Sequence, residues 1–116
     1  MVKLLLILLL FTVMGAESPV TTLRVTPTQQ YYPGTVLFQT SVTPHRDNFW
    51  LCNGWQNETT GKYRKSCQQL NGIYSPRLFQ FEWRLLEVGK YVGFVEVYRT
   101  PNYLAGDATQ PFTVLK

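Results

Sequence analysis

The two cysteines are the residues of this 116-residue chain best suited to a covalent reaction, because Cys52 and Cys67 are its only thiols. In an oxidising compartment, a lone pair of cysteines in a small domain favours an intrachain disulfide. Such a bond closes a loop of about 16 residues and stabilises the fold by about 3 kcal/mol if it acts by restricting the unfolded chain. The alternative is a bridge between two chains.

A second site for covalent modification lies inside the loop that this disulfide would close. The tripeptide Asn57-Glu58-Thr59 matches the acceptor sequence for N-linked glycosylation. Glycans are bulky and need a surface position. In a secreted chain, the sequence therefore predicts that Asn57 carries a glycan and that the polar loop around it is exposed.

The remaining polar residues do not predict catalysis. The single histidine, His45, would need Asp47 or Asp107 and a serine beside it to form a hydrolytic triad, and the spacing gives no support for one. Glu82 and Glu96 could face each other as a glycosidase pair, but an outward sheet face explains them more simply. One histidine and a cysteine pair are too few ligands for a metal site. We therefore expect no catalytic residues, no metal and no cofactor.

The first 16 residues indicate the compartment. Lys3 is followed by an apolar run from Leu4 to Val13 and by the small pair Gly15-Ala16, a pattern typical of a secretory signal peptide. The run is shorter than the roughly 20 residues that cross a bilayer as a helix, and an uncleaved anchor is the alternative. We expect residues 1–16 to be removed and residues 17–116 to form one secreted domain without a membrane span.

The charge of the predicted mature chain favours a protein partner over nucleic acid. Removing Lys3 from the 11 basic residues leaves ten against seven acidic ones, a net charge near +3. A nucleic-acid-binding domain usually concentrates a larger positive charge in a patch or stripe. The sequence has only the short basic cluster of Lys62, Arg64 and Lys65, which a solvated loop explains equally well.

Short strands separated by turns must position these residues. Residues 35–42 and 78–85 alternate apolar and polar side chains with period 2, as half-buried strands do. The residues predicted to point inward are Val36, Phe38, Thr40, Val42, Phe79, Phe81, Trp83 and Leu85. Further strands are predicted at residues 21–26, 48–55, 63–70, 90–99 and 112–115. Since no helical period persists after the leader, we predict an all-β, two-sheet sandwich with a long loop at residues 100–110.

The pattern Glu87-x-Gly89-x-Tyr91-x-Gly93 is typical of the turn before the sixth strand of immunoglobulin-like sandwiches. There the tyrosine buries its ring and its hydroxyl reaches back to the backbone of the turn, an arrangement called a tyrosine corner. Gly93 stands where antibody-type domains have a cysteine, so we expect Phe38 to fill the space beside it; the alternative for this pair is that Gly93 only marks a bulge and Phe38 is a generic core residue. The alternative is an ordinary hairpin strand after a glycine turn. Trp50, 12 residues after Phe38, is the predicted core tryptophan.

Together these residues resemble the immunoglobulin-like domain shared by cytomegalovirus glycoproteins and adenovirus early-region-three glycoproteins. The resemblance covers roughly residues 35–98 and rests on Trp50-x-Cys52, Cys67 and Gly89-x-Tyr91-x-Gly93. It implies a viral immune modulator that binds a host leukocyte receptor or an immunoglobulin. The alternative is a small secreted structural or inhibitory domain with a fibronectin- or macroglobulin-like sandwich.

The binding surface is predicted to use exposed aromatic residues, since tyrosine is enriched at protein interfaces. Partial packing into the core is the alternative for each residue. The candidate binding residues are Tyr31, Tyr32, Tyr63, Tyr74 and Tyr103.

Overall fold

The computed structural model describes residues 20–100 and 102–116, and the predicted signal peptide lies outside the described residues. Their secondary structure consists of eight strands. The strands are β1 (Val20–Thr26), β2 (Gln29–Tyr31), β3 (Gly34–Val42), β4 (His45–Asn57), β5 (Tyr63–Ile73), β6 (Arg77–Leu85), β7 (Gly89–Thr100) and β8 (Tyr103–Leu115). A search of this part of the chain for an apolar helix long enough to span a membrane finds none.

The strands form two sheets, in agreement with the predicted all-β sandwich. The smaller sheet has the order β1-β3-β6 and the larger one the order β2-β8-β7-β4-β5. The chain changes sheet between β1 and β2, at Pro27 and Thr28. Strand β2 then pairs in parallel with the end of β8, while the other neighbouring strands are antiparallel.

The core lies between the two sheets and follows the predicted alternation. The inward residues predicted on β3 are all buried, and those on β6 are buried or half-buried. On β6, the intervening residues Gln80, Glu82 and Arg84 are exposed, as predicted. Strand β7 contributes a third alternating row, in which Tyr91, Gly93, Val95 and Val97 point inward.

Phe38 packs against Gly93, as expected from the missing cysteine. The Phe38 ring is fully buried, and a Cβ added to Gly93 would lie 2.9 Å from its Cζ atom. The ring of Phe112 meets the Phe38 ring edge-on with 5.9 Å between centroids. An aromatic ring beside a glycine thus fills the space between the sheets.

The prediction that Trp50 is the core tryptophan is wrong. Strand β4 begins at His45 and has a register irregularity between His45 and Asn48, so the odd-numbered residues that follow point inward. Trp50 therefore lies on the outer face of the larger sheet. Trp55 takes the interior position directly opposite Gly93, with its ring 5.2 Å from that of Tyr91.

Predicted boundaries near β5 and β8 also differ from the structure. Residues 103–110 were expected in a loop but belong to β8, which pairs with β7 along this stretch. The small residues Ala105 and Ala108 pack against the core there and give no strong periodic signal. Strand β5 runs through residues 71–72 to Ile73, because this segment continues the ladder with β4.

Candidate binding surface

The turn before β7 is a tyrosine corner, as predicted. The Tyr91 hydroxyl donates a hydrogen bond to the carbonyl oxygen of Glu87 at 2.7 Å, and the residue is only 1% exposed. Gly89 has a φ of 149°, a conformation that residues with a Cβ rarely adopt. Burial raises the pKa of Tyr91, while a hydrogen bond with Asn57 opposes the shift. The corner fixes the start of β7, the strand at the centre of the larger sheet.

Asn57 is part of this corner, and it is buried, although the loop around it was predicted to be exposed and Asn57 to carry a glycan. Its side chain is buried, with Nδ2 donating to the carbonyl oxygen of Val88 at 3.2 Å. Its Oδ1 accepts hydrogen bonds from the backbone amides of Thr59 and Thr60. Gly89 closes one side of the amide, because a Cβ added to Gly89 would lie 2.8 Å from Nδ2, and such an enclosed amide is a poor position for a bulky glycan. The residues from 58 to 69 are exposed, as expected for the loop itself.

The disulfide between Cys52 and Cys67 is present within the chain, which confirms the predicted pairing. The two residues are directly opposite each other on β4 and β5, with their Cα atoms 4.0 Å apart. Their side chains lie on the same outer face as Trp50, so the bond braces the larger sheet and does not join the two sheets.

The solvent-facing side of β4, β5 and β7 carries a row of aromatic residues around this disulfide. We call this surface the outer sheet face and define it by Trp50, the Cys52–Cys67 bond, Tyr63, Phe94 and Tyr98. A groove of about 320 Å³ is lined by Trp50, the disulfide, Lys65 and Tyr98. At the other end of the face, the rings of Tyr63 and Phe94 stack with 6.4 Å between centroids.

A polar network crosses the middle of the outer sheet face. Lys65 forms an ion pair with Glu96 at 3.1 Å, and its Nζ lies 5.0 Å from the centroid of the Tyr98 ring. The Tyr98 hydroxyl donates to a Glu96 carboxylate oxygen at 3.0 Å. Burial lowers the pKa of Lys65, but the hydrogen bonds and charges of Glu96 and Tyr98 outweigh it and raise the pKa overall. The network holds the Tyr98 ring in one orientation beside the groove.

The five tyrosines predicted to bind a partner are all exposed, between 48% for Tyr32 and 95% for Tyr74. They do not form one surface. Tyr31, Tyr32 and Tyr63 lie at the tyrosine-corner end of the sandwich, since Tyr31 pairs with Leu115 and Tyr63 with Gln56. Tyr74 and Tyr103 lie at the opposite end, next to the ends of β5 and β7. Of the five, only Tyr63 joins the outer sheet face.

Sequence reasoning missed the residues that make the outer sheet face aromatic, namely Trp50, Phe94 and Tyr98. The available signal was the disulfide. Cysteines paired across neighbouring strands share a face with the residues two positions away. An outward Cys52 therefore makes Trp50 outward too. The fold and this surface define a disulfide-bonded β-sandwich with an aromatic outer face.

No protein-family model matches the chain, and no curated protein matches it in sequence. Among solved structures, it is similar to the CARDB domain of the PF1109 protein from Pyrococcus furiosus, with a TM-score of 0.57 and 13% identity over 81% of this chain and 84% of that one. It is also similar to the PKD domain of an M14-like peptidase from a Thermoplasmatales archaeon, with a TM-score of 0.57 and 21% identity over 86% of this chain and 99% of that one.

The DNA glycosylase AlkC from Pseudomonas fluorescens matches with a TM-score of 0.60 and 16% identity over 90% of this chain but 32% of its own length. At these identities, the similarities show the fold alone. The chain is a β-sandwich of the kind found in PKD and CARDB domains.

Proposed function

We propose that this chain is a secreted binding module with an immunoglobulin-like sandwich and that its outer sheet face engages a protein partner. Two features support the immunoglobulin-like assignment. The tyrosine corner at Tyr91 is typical of that fold. The extra strand β5 beside β4 resembles the way variable-type domains enlarge the sheet that contains this corner.

The aromatic composition of the outer sheet face is the observation that carries the binding proposal. A sheet face in water needs no tryptophan or phenylalanine, whereas the centres of protein interfaces are enriched in aromatic residues. The disulfide and the Lys65–Glu96–Tyr98 network hold this face in one shape before binding. Such preorganisation lowers the entropy lost on association.

The proposed partner is a host leukocyte receptor or an immunoglobulin. This step rests on the resemblance of Cys52, Cys67 and the Gly89-x-Tyr91-x-Gly93 segment to the viral glycoprotein domains described above. A secreted immune modulator leaves the cell that makes it, and the predicted leader at residues 1–16 supports this. The intrachain disulfide fits the same oxidising compartment.

The direct experiment is a binding screen with the chain produced in mammalian cells and purified from the medium. Ectodomains of leukocyte receptors and immunoglobulins are displayed, and the chain is applied as a labelled multimer to detect weak contacts. We expect one saturable receptor or immunoglobulin ligand. Absence of the chain from the medium, or no saturable binding to any displayed ectodomain, would contradict the proposal and favour the structural or inhibitory alternative.

A further inference from the structure

A second concave site lies at the edge of the sandwich, away from the groove on the outer sheet face. The seven residues from Tyr63 to Gln69 of β5 are all exposed, so this part of the strand projects beyond the edge of the smaller sheet. Strand β6 is the edge of that sheet. A cavity of about 450 Å³ opens between the two strands, and we call it the edge pocket.

The apolar wall of the edge pocket is made of aromatic rings. Trp55 and Trp83 both line it and meet at 87°, with 6.4 Å between ring centroids. The ring of Tyr91 completes this wall behind Trp55. Two ring planes at a right angle form a rigid apolar corner, which suits the flat face of a compact ligand ring.

One polar atom in this wall has no partner. The Trp83 indole nitrogen donates to the side-chain oxygen of Asn53 at 2.6 Å. The Trp55 indole nitrogen is buried and makes no hydrogen bond within the described residues. A buried donor without a partner destabilises the protein, so the packing around Trp55 is not optimised for stability alone.

The charges around the edge pocket determine which chemical class of ligand it favours. Lys62, Arg64 and Arg84 line it with one acidic residue, Glu87. Glu87 is already paired with Lys62. Across the part of the chain that the structure describes, Arg64 and Arg84 have no ion pair. Two free guanidinium groups favour a carboxylate, which they can hold with paired hydrogen bonds.

We propose that the edge pocket binds a carboxylated sugar, such as the terminal acidic residue of a host glycan. The carboxylate would lie between Arg64 and Arg84, and the sugar ring would lie against the tryptophan corner. A single aspartate or glutamate side chain would leave most of a cavity of about 450 Å³ empty. This site shares only Tyr63 with the outer sheet face and none of the residues of its groove, so either can fail without the other.

The test uses the methyl α-glycoside of N-acetylneuraminic acid as the probe and the full mature chain. In ¹⁵N–¹H spectra, the three tryptophans give three indole signals, and the Trp55→Phe variant identifies the one from Trp55. If that variant does not fold, contacts between the indole proton and the Tyr91 ring identify it instead. We expect the probe to shift the Trp55 signal in a saturable way. The methyl ester of the same sugar, which lacks the negative charge, should bind at least about tenfold more weakly.

Variants of the arginines provide the matched comparison. Arg64→Gln and Arg84→Gln should each weaken probe binding about tenfold. Arg24→Gln, an exposed arginine on β1, should leave it unchanged. Equal binding of the ester, no shift of the Trp55 signal, or an equal loss with Arg24→Gln would overturn the proposal. Stronger binding of a glutamate-rich hexapeptide than of the sugar would overturn it in favour of an acidic peptide.

Discussion

The contact between Phe38 and Gly93 predicts a specific coupling in stability. In the Gly93→Ala variant, the new Cβ would lie 2.9 Å from Phe38 Cζ, closer than real contacts of this kind, and 3.1 Å from a Val25 methyl carbon, which is tight. Phe38 cannot retreat freely, because Phe112 packs on its ring. Overpacking costs about 1–3 kcal/mol. Alanine also restricts the unfolded chain, which offsets about 0.4–1 kcal/mol of this cost and leaves a net loss of about 0–2.6 kcal/mol.

The double variant separates this explanation from a general effect of changing the strand. Phe38→Leu removes the far end of the ring and should cost less than the about 3–5 kcal/mol typical of Phe→Ala. In Phe38→Leu/Gly93→Ala, the new methyl enters the vacated space, so the combined loss should fall short of the sum by at least about 0.5 kcal/mol.

Urea unfolding followed by tryptophan fluorescence measures all four stabilities, and unchanged slopes would show that the unfolded states are comparable. Phe79→Leu is the control for Phe38→Leu, because Phe79 lies in the other half of the core and its loss should add to that of Gly93→Ala. Strictly additive losses for the Phe38 pair would refute the packing argument.

Three further outcomes are expected. Replacing both cysteines of the Cys52–Cys67 pair by alanine should cost about 3 kcal/mol in urea unfolding, because the bond closes a loop with a sequence separation of 15 residues. Tyr91→Phe should cost about 1–3 kcal/mol at neutral pH by leaving the Glu87 carbonyl unpaired. Burial raises the pKa of Tyr91 above its usual 10.0. The stability that the Tyr91 hydroxyl contributes is therefore complete below that pH and is lost as the pH rises through the raised value. The difference in unfolding free energy between wild type and Tyr91→Phe should narrow above about pH 10. Because the Asn57 amide is buried and hydrogen-bonded, Asn57→Ala should destabilise the fold by about 1–3 kcal/mol. For the same reason, protein made in mammalian cells should keep its mass after peptide N-glycosidase treatment, and a loss of mass would contradict this.

The parts of the fold that the sequence predicts well depend on local pattern. Strands β3 and β6 alternate strictly, and the tyrosine corner has its signal within seven residues, from Glu87 to Gly93. The parts that were wrong depend on pairing between distant segments. The face on which Trp50 lies is set by the register of β4, and a shift of one residue in a strand exchanges its two faces. Similarly, β8 is a strand because β7 supplies its hydrogen bonds, although its own sequence contains Gly106 and Pro111.

The candidate sites also divide into those that local sequence predicts and those that depend on contacts between distant segments. The disulfide follows from composition and compartment alone. Asn57 matches a glycosylation motif of three residues, but its burial depends on Val88 and Gly89, which lie about 30 positions away in the chain. The edge pocket depends on β5 projecting past β6, which only the order of strands in the two sheets reveals.

The most direct test of the proposed function compares two aromatic substitutions on whole cells. Labelled multimers of wild type, Trp50→Ala and Tyr74→Ala are applied to leukocytes treated with sialidase, which removes acidic sugars that the edge pocket would bind. Trp50 lies in the groove of the outer sheet face, whereas Tyr74 is 95% exposed at the far end of the sandwich. We predict that Trp50→Ala weakens binding at least about tenfold and that Tyr74→Ala leaves it unchanged. Retained binding by Trp50→Ala, or its loss in Tyr74→Ala, would contradict the assignment of binding to the outer sheet face.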